Sequence, residues 1–354
     1  LMRIDPGPET MAALADMTAA TVARIPRDRP IVFVDYPVHL NIGDLLIHHG
    51  TDVACSKAGI RFKFQASAYT WRTHRRRLPE DAVIVLHGGG NFGDVWPDFQ
   101  AFREQVLVDA GRRQVIMMPQ SMHFSSPAAL EAARKTIGQH RNLTMFLRDN
   151  ESFEAASRTF DNAECLLAPD MAHALWASLD QGVPSSGEEL VLMRNDHESV
   201  ANRGGLDWID LISILERLEA RTLRNLQRIG GKAIPSSIGL DAAWINFRNR
   251  LLHQIVGIVG RYKSITTDRL HAMIIGTLMG KPVFAYDNSY GKLSRYSQLW
   301  LIPELDTTRL RGSPTPASSS WRLASALTPT RDSHKGGIVR VWGHGPDSQR
   351  HRQP

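Results

Sequence analysis

Four short clusters in this 354-residue chain combine the residue types that bind anions and move protons. "HGGGNFGD" (87–94) ends an apolar run with Gly88, Gly89, Gly90, Asn91 and Asp94. Glycines permit positive φ and let a ligand approach the backbone closely. The stretch lacks the Gly-Lys-Ser/Thr of a Walker loop and the spacing of a dinucleotide fingerprint. Asp94 reads as a general base, as an acceptor for a sugar hydroxyl, or simply as a helix cap. "NIGD" (41–44) offers Asn41 and Gly43 for a tight turn and Asp44 as a cap, with helix-start amides that favour anions. "LRDNES" (147–152) brings Arg148, either an anion ligand or the partner of Asp149 or Glu151. Arg194 ends the apolar run of "VLMRND". "TDRLHAMIIG" sets Arg269 and His271 at a helix start, where a cation is mismatched and a bound anion would repair the mismatch. A histidine titrates near neutrality, which suits proton transfer, although a structural role is the plainer alternative. His48 and His49 are adjacent and no HExxH occurs, so no metal site is expected.

Elements that would position these clusters follow from the hydrophobic periodicity. Apolar runs at 31–36, 60–65, 82–87, 114–120, 143–149 and 163–170 read as strands. Helical spacing separates them at 43–59, 96–111, 127–139 and 150–160. Such alternation predicts an α/β fold with a mostly parallel sheet. A polar stretch at 178–189 is the candidate crossing to a second α/β unit. That unit has strands at 190–196, 263–267 and 281–287 and helices at 206–220, 241–260 and 268–280. Trp208, Leu211, Ile212, Leu215 and Leu218 form the apolar stripe assigned to the first of these helices. The expected division is a first domain at 1–180, a second at 181–311 and a tail at 312–354, mobile or packed back on the body. Every cluster then falls at a strand end, where an α/β cleft is lined.

Composition narrows the classes. Apolar residues make up 42% of the chain, a globular fraction, and no run approaches the roughly 18 uncharged residues that span a bilayer. The first twenty residues carry acids and lack a signal-peptide pattern. The two cysteines, Cys55 and Cys165, form no CxxC, so a reduced, cytoplasmic protein is expected. The net charge is +6, and "WRTHRRR" (71–77) is its densest cluster. That run reads as a solvated loop, or as a contact for an anionic substrate or an anionic inner-membrane surface. No nucleic-acid module accompanies it, so nucleic acid is not an expected partner.

In order, "NIGD", "HGGGNFGD", "RD" with "ES", "APD" near 170 and "TDRLHAMIIGTLMGKPVFAYD" resemble the polysaccharide pyruvyl transferase family, over about residues 31–300. The resemblance implies two Rossmann-like domains in a GT-B-like arrangement with a cleft between them. It implies transfer of pyruvate from phosphoenolpyruvate to a sugar hydroxyl pair as a ketal, in bacterial exopolysaccharide biosynthesis. Arg269, Leu270 and His271 match the family element that contacts the donor, and Asp94 matches the acid after the glycine patch. Arg194 matches a donor-binding arginine by position, with Arg148 the runner-up. Asn41, Asp44, Gly88, Gly89, Gly90 and Asn91 fall on the acceptor side or its loop. Phosphoenolpyruvate is then the donor substrate, no further cofactor is needed, and the acceptor is a sugar, free or lipid-linked. Two other classes stay open: a GT-B-like glycosyltransferase using a nucleotide sugar, and a non-catalytic protein that binds sugar or phosphate.

Overall fold

The computed structural model describes residues 1–179, 187–194, 204–233, 237–287 and 291–302. The predicted tail at 312–354 and much of the predicted crossing at 178–189 lie outside the described residues. The strands are β1 (Met2–Ile4), β2 (Ile31–Val34), β3 (Phe62–Ala66), β4 (Val83–Leu86), β5 (Gly89–Gly93), β6 (Val115–His123), β7 (Leu143–Leu147), β8 (Ala163–Leu167), β9 (Glu189–Leu192), β10 (Ser264–Thr267) and β11 (Val283–Ala285). The helices are α1 (Pro8–Ala23), α2 (Ile42–Lys57), α3 (Trp71–His74), α4 (Pro97–Ala110), α5 (Pro127–Ile137), α6 (Asn150–Thr159), α7 (Ile214–Ala233), α8 (Ser237–Gly260), α9 (Leu270–Leu278) and α10 (Lys292–Trp300).

The α/β class predicted from the strand–helix alternation is observed. A seven-stranded parallel sheet runs β3-β2-β4-β6-β7-β8, with β5 also paired to β6. Its central strands β2, β4 and β7 are buried on both faces, as parallel strands must be once crossover helices cover them. Ile31, Phe33, Val83 and Val85 enter one apolar cluster, while Val32, Val34, Ile84 and Leu86 enter the other. The strand order reverses between β2 and β4. Doubly wound sheets bind ligands outside the carboxyl ends of their strands at that point. The loops leaving β2 and β4 carry "NIGD" and the glycine patch.

A second sheet runs β1-β11-β10-β9, parallel except for β1. β1 pairs antiparallel with β11, so Met2–Ile4 belongs with the later sheet. Nothing in the sequence pattern marked this. The cluster on the Phe33 face of the first sheet also contains Leu190, Leu192, Ile265 and Val283 of the second, so one apolar core runs through both.

The expected helix at 206–220 differs. Residues Trp208–Leu211 form a separate 3-10 turn capped by Asp207, and α7 starts at Ile214. Trp208 and Ile212 are buried, but Leu215 and Leu218 are not. The glycine patch also differs from a simple loop. After β4 the chain breaks at His87–Gly88, then resumes as β5 beside the far end of β6. β6 is irregular between Met117 and Gln120, around Pro119, which has no N–H for the ladder.

Candidate active site

A carboxylate that the sequence reading did not single out lies at the centre of the site. Asp170, after β8, is fully buried. Arg148 Nη1 donates to its Oδ2 at 2.5 Å, and His271 Nε2 lies 3.2 Å from the same oxygen. The Asp170 amide meets Tyr296 Oη at 3.0 Å, and Oδ1 accepts the Ala172 amide at 3.0 Å. Burial alone would raise this carboxyl. The His271 charge and hydrogen bond, with Arg148 and the Ala172 amide, outweigh burial and hold it well below the usual carboxylate range. Asp170 is therefore ionised whenever the site works. A buried carboxylate on one ring nitrogen orients an imidazole and stabilises its protonated form.

His271, one residue into α9, reaches across to the start of α2. A Cβ on Gly43 would stand 2.3 Å from His271 Nδ1 and 2.7 Å from Cγ. Only glycine lets the ring seat there. α2 is capped by Asn41, whose side chain accepts from the Gly43 amide at 3.1 Å and donates to Asp44 Oδ2 at 2.9 Å. The cap is thus Asn41, and Asp44 is an acid of the first turn. Asp44 Oδ1 lies 3.3 Å from the Cβ position of Gly89, and Arg148 Nη2 lies 3.1 Å from that of Gly90. These two glycines border the cluster, whereas Gly88 and Gly93 have a structural reason. Cβ atoms there would meet the Pro119 carbonyl oxygen at 2.4 Å and that of His123 at 1.7 Å.

The two arginines expected on the donor side share an edge of the second sheet. Arg269 is the N-cap residue of α9, and its Nη2 donates to Asp207 Oδ2 at 2.5 Å. Arg194 follows β9, and its amide donates to Asp268 Oδ1 at 2.8 Å. Burial raises the Asp268 carboxyl, while the Arg194 amide and both guanidinium charges pull it back. Asp207 supplies negative charge beside Arg269 at the helix start, and Asp170 lies beside His271. Leu270, between Arg269 and His271, lines a cleft of about 130 Å³ with Gly90, Asn91, Trp96, Ser121 and Tyr296.

Two sequence-predicted residues have roles other than those expected. Asp94 accepts from the Ser125 amide, the Ser125 hydroxyl and the Ser126 amide, all within 2.8–2.9 Å. Burial would raise its carboxyl, but these donors hold it low. It anchors the entry to α5 and makes no hydrogen bond to the His271 cluster. Arg148 is buried and spent on Asp170 and on Ser121 Oγ at 3.0 Å, away from the arginine edge of the second sheet. Asn91 is fixed by Arg103, which donates to its Oδ1 at 2.6 Å.

Asp35, which follows β2, was also missed. It has φ of 70°, rare for a residue with a side chain, and is 5% exposed. Burial pushes its carboxyl up to about 7, with Arg103 opposing and Asp44 adding to the rise. Beside it, His87 and Gln120 are buried, and no side-chain nitrogen or oxygen of either has a hydrogen-bond partner among the described residues. The signal for Asp35 was a carboxylate ending an apolar strand at the order reversal. Among the described residues no group of three or more His, Cys, Asp or Glu side chains could hold a metal ion.

Residues 41–290 match the family described as Polysaccharide pyruvyl transferase. The chain belongs to this family. The resemblance carried by "HGGGNFGD" and "DRLHA" is thereby borne out. EpsO of Bacillus subtilis is 30% identical over 298 residues, 82% of this chain and 92% of that protein. Pyruvyl transferase 1 of Schizosaccharomyces pombe is 27% identical over 288 residues, 77% of this chain and 70% of that one. A solved structure of an uncharacterised Klebsiella pneumoniae protein matches with a TM-score of 0.54 at 17% identity. It covers 82% of this chain and 94% of that one, a likeness of fold alone. As a polysaccharide pyruvyl transferase, the chain places Arg269, Leu270 and His271 where its second sheet meets Asp170 and Gly43 of the first.

Proposed function

We propose that this pyruvyl transferase takes pyruvate from phosphoenolpyruvate and installs it as a ketal on two hydroxyls of a sugar in an exopolysaccharide or its precursor. The observation that carries the reading is His271, held by buried Asp170 and seated on Gly43, beside the arginine edge formed by Arg194 and Arg269. The sheets act as two Rossmann-like units in a GT-B-like arrangement, at about 1–180 and 181–311, with β1 lent to the second. Phosphoenolpyruvate carries a carboxylate and a phosphate, and guanidinium forks suit both. Arg269 and Arg194 bind them, helped by the α9 amides, which have no side-chain cap.

Protonated His271 delivers its proton to the methylene carbon, which becomes the methyl group. The cationic carbon left behind takes one sugar hydroxyl. Inorganic phosphate departs, and the second hydroxyl closes the ring. Both hydroxyl protons leave, one restoring His271 and the other carried off by the departing phosphate. Asp170 stabilises the imidazolium, Arg148 and the Ala172 amide hold Asp170 in place, and no further cofactor takes part. The acceptor lies in the cleft lined by Trp96, Asn91 and Ser121.

The test is incubation with phosphoenolpyruvate and simple glucosides, galactosides or mannosides. Phosphate release matched by a mass gain of pyruvate less water supports the reading. Thermal stabilisation by UDP- or GDP-sugars and none by phosphoenolpyruvate would point to a glycosyltransferase instead. Binding without phosphate release would indicate a non-catalytic role.

A further inference from the structure

Helix α7 turns five of its six leucines and isoleucines away from the protein; only Leu223 packs against the core. Ala220 and Gln227 are buried against the body. Ile214, Leu215, Leu218, Leu226 and Ile229 are 72%, 77%, 52%, 45% and 66% exposed. With 3.6 residues per turn these five fall within about a third of the helix circumference. Arg217, Arg221, Arg224 and Arg228, spaced four, three and four apart, run along one border of that stripe. Soluble proteins rarely leave such a contiguous apolar band open to water.

The basic run that stood out in the sequence adjoins the same helix. α3 packs on α7, and Ser67, just before α3, donates to Gln227 Oε1 at 2.7 Å. Arg72, Arg75, Arg76 and Arg77 are exposed in and after α3. No helix among the described residues is long and apolar enough to cross a membrane.

We propose that α7 and the 72–77 run form a docking face for an anionic lipid bilayer, with α7 lying in the headgroup plane and its apolar stripe in the acyl boundary. A helix with one leucine-rich face and an arginine border has the chemistry of an interfacial helix. Charge favours a bilayer over a second copy of this chain. The acids of α7 are engaged, Glu216 by Ser213 and Gln254 and Glu219 by Arg250. Two stripes meeting would oppose their arginine rows, whereas anionic headgroups complement them. The face borders the site: Arg224 acts electrostatically on half-buried His39, in the loop that leads into α2. A bilayer here would present lipid-linked material close to Asn41.

The experiment is flotation of the full-length chain with phosphatidylcholine vesicles, with and without phosphatidylglycerol. Binding should require phosphatidylglycerol and weaken with salt. Each interfacial charge is worth about fivefold in partitioning, so Arg72→Gln with Arg76→Gln should weaken binding about 30-fold. Leu215→Ser, Leu218→Ser and Ile229→Ser together should weaken it about 100-fold or more. These residues are exposed and away from His271, so phosphate release with a soluble glycoside should stay unchanged. That readout separates failure of the docking face from failure of the catalytic reading. No binding to phosphatidylglycerol vesicles, or undiminished binding by both variants, overturns the proposal. So does a wild-type dimer in sedimentation that the stripe variant makes monomeric, with vesicle binding unaltered.

Discussion

Replacing Gly43 by alanine isolates the seat of His271. The added Cβ would stand 2.3 Å from Nδ1 and 2.7 Å from Cγ, so the ring must retreat by about 1 Å to reach ordinary contact. His271 Nε2 is already 3.2 Å from Asp170 Oδ2, near the long end of a hydrogen bond. Displacement of that size breaks the bond and moves the proton donor off its target. Misplacing a catalytic group by about 1 Å costs on the order of 100-fold in rate. Stability should move little. Overpacking costs about 1–3 kcal/mol, and alanine in a helix regains up to about 1 kcal/mol over glycine. The expected result is kcat for phosphate release down about 100-fold, with a melting temperature within a few degrees of wild type. Gly50→Ala is the control. Its Cβ would meet the Met171 carbonyl oxygen at 2.1 Å, a backbone atom that cannot swing aside. It should lower the melting temperature more than Gly43→Ala does, through the packing of α2 on 171–175. A folded Gly43→Ala enzyme with wild-type kcat would refute the reasoning that the ring's seat sets its aim.

Other substitutions separate roles that share a neighbourhood. Asp94→Ala should cost about 1–2 kcal/mol by freeing the Ser125 and Ser126 amides, with kcat within a few-fold of wild type, read by denaturant unfolding and phosphate release. Arg269→Lys should raise KM for phosphoenolpyruvate about tenfold or more, because a point charge replaces the fork that also holds Asp207. Asp35 keeps its proton in the folded state up to about pH 7, while the unfolded chain loses it near 4. Stability should therefore fall between about pH 4 and 7, and Asp35→Asn should flatten that part of the melting profile. Asp170 has the opposite sign: its stabilisation is full above about pH 4 and is lost as pH falls below that, so Asp170→Asn should remove acid sensitivity. Because that variant leaves Arg148 buried without its carboxylate, it should also cost about 3–5 kcal/mol, read by chemical denaturation.

The sheet strands were legible because buried parallel strands are continuous apolar runs, and the clusters were legible because they sit where those runs end. The pairings across the chain were not. Asp170 looked like a strand terminus because its partners, Arg148 and His271, are 22 and 101 residues away. Asp94 and Asp170 each end a turn with a carboxylate, and only geometry shows that one is spent on serine amides. The glycine patch resisted reading for a similar reason: Gly88 and Gly93 answer to the backbone of β6, and Gly89 and Gly90 to the site. In α7 the 3.6-residue period marked a helix but not which way it faces. Leu215 and Leu218 share a period with buried Trp208 and Ile212, and a break at Ser213 turns them outward.

α10 closes the circuit between the sheets in a way that makes Asp170 a latch. Trp300 Nε1 donates to the Arg148 carbonyl at 2.8 Å, and Tyr296 Oη bonds the Asp170 amide and lies 3.0 Å from His173 Nε2. β1 runs the other way, from the first residues into the second sheet. Movement of α10 would act directly on the residues flanking this carboxylate. The group that holds the imidazole is therefore also tied to α10, so the aim of His271 and the seating of α10 share one anchor.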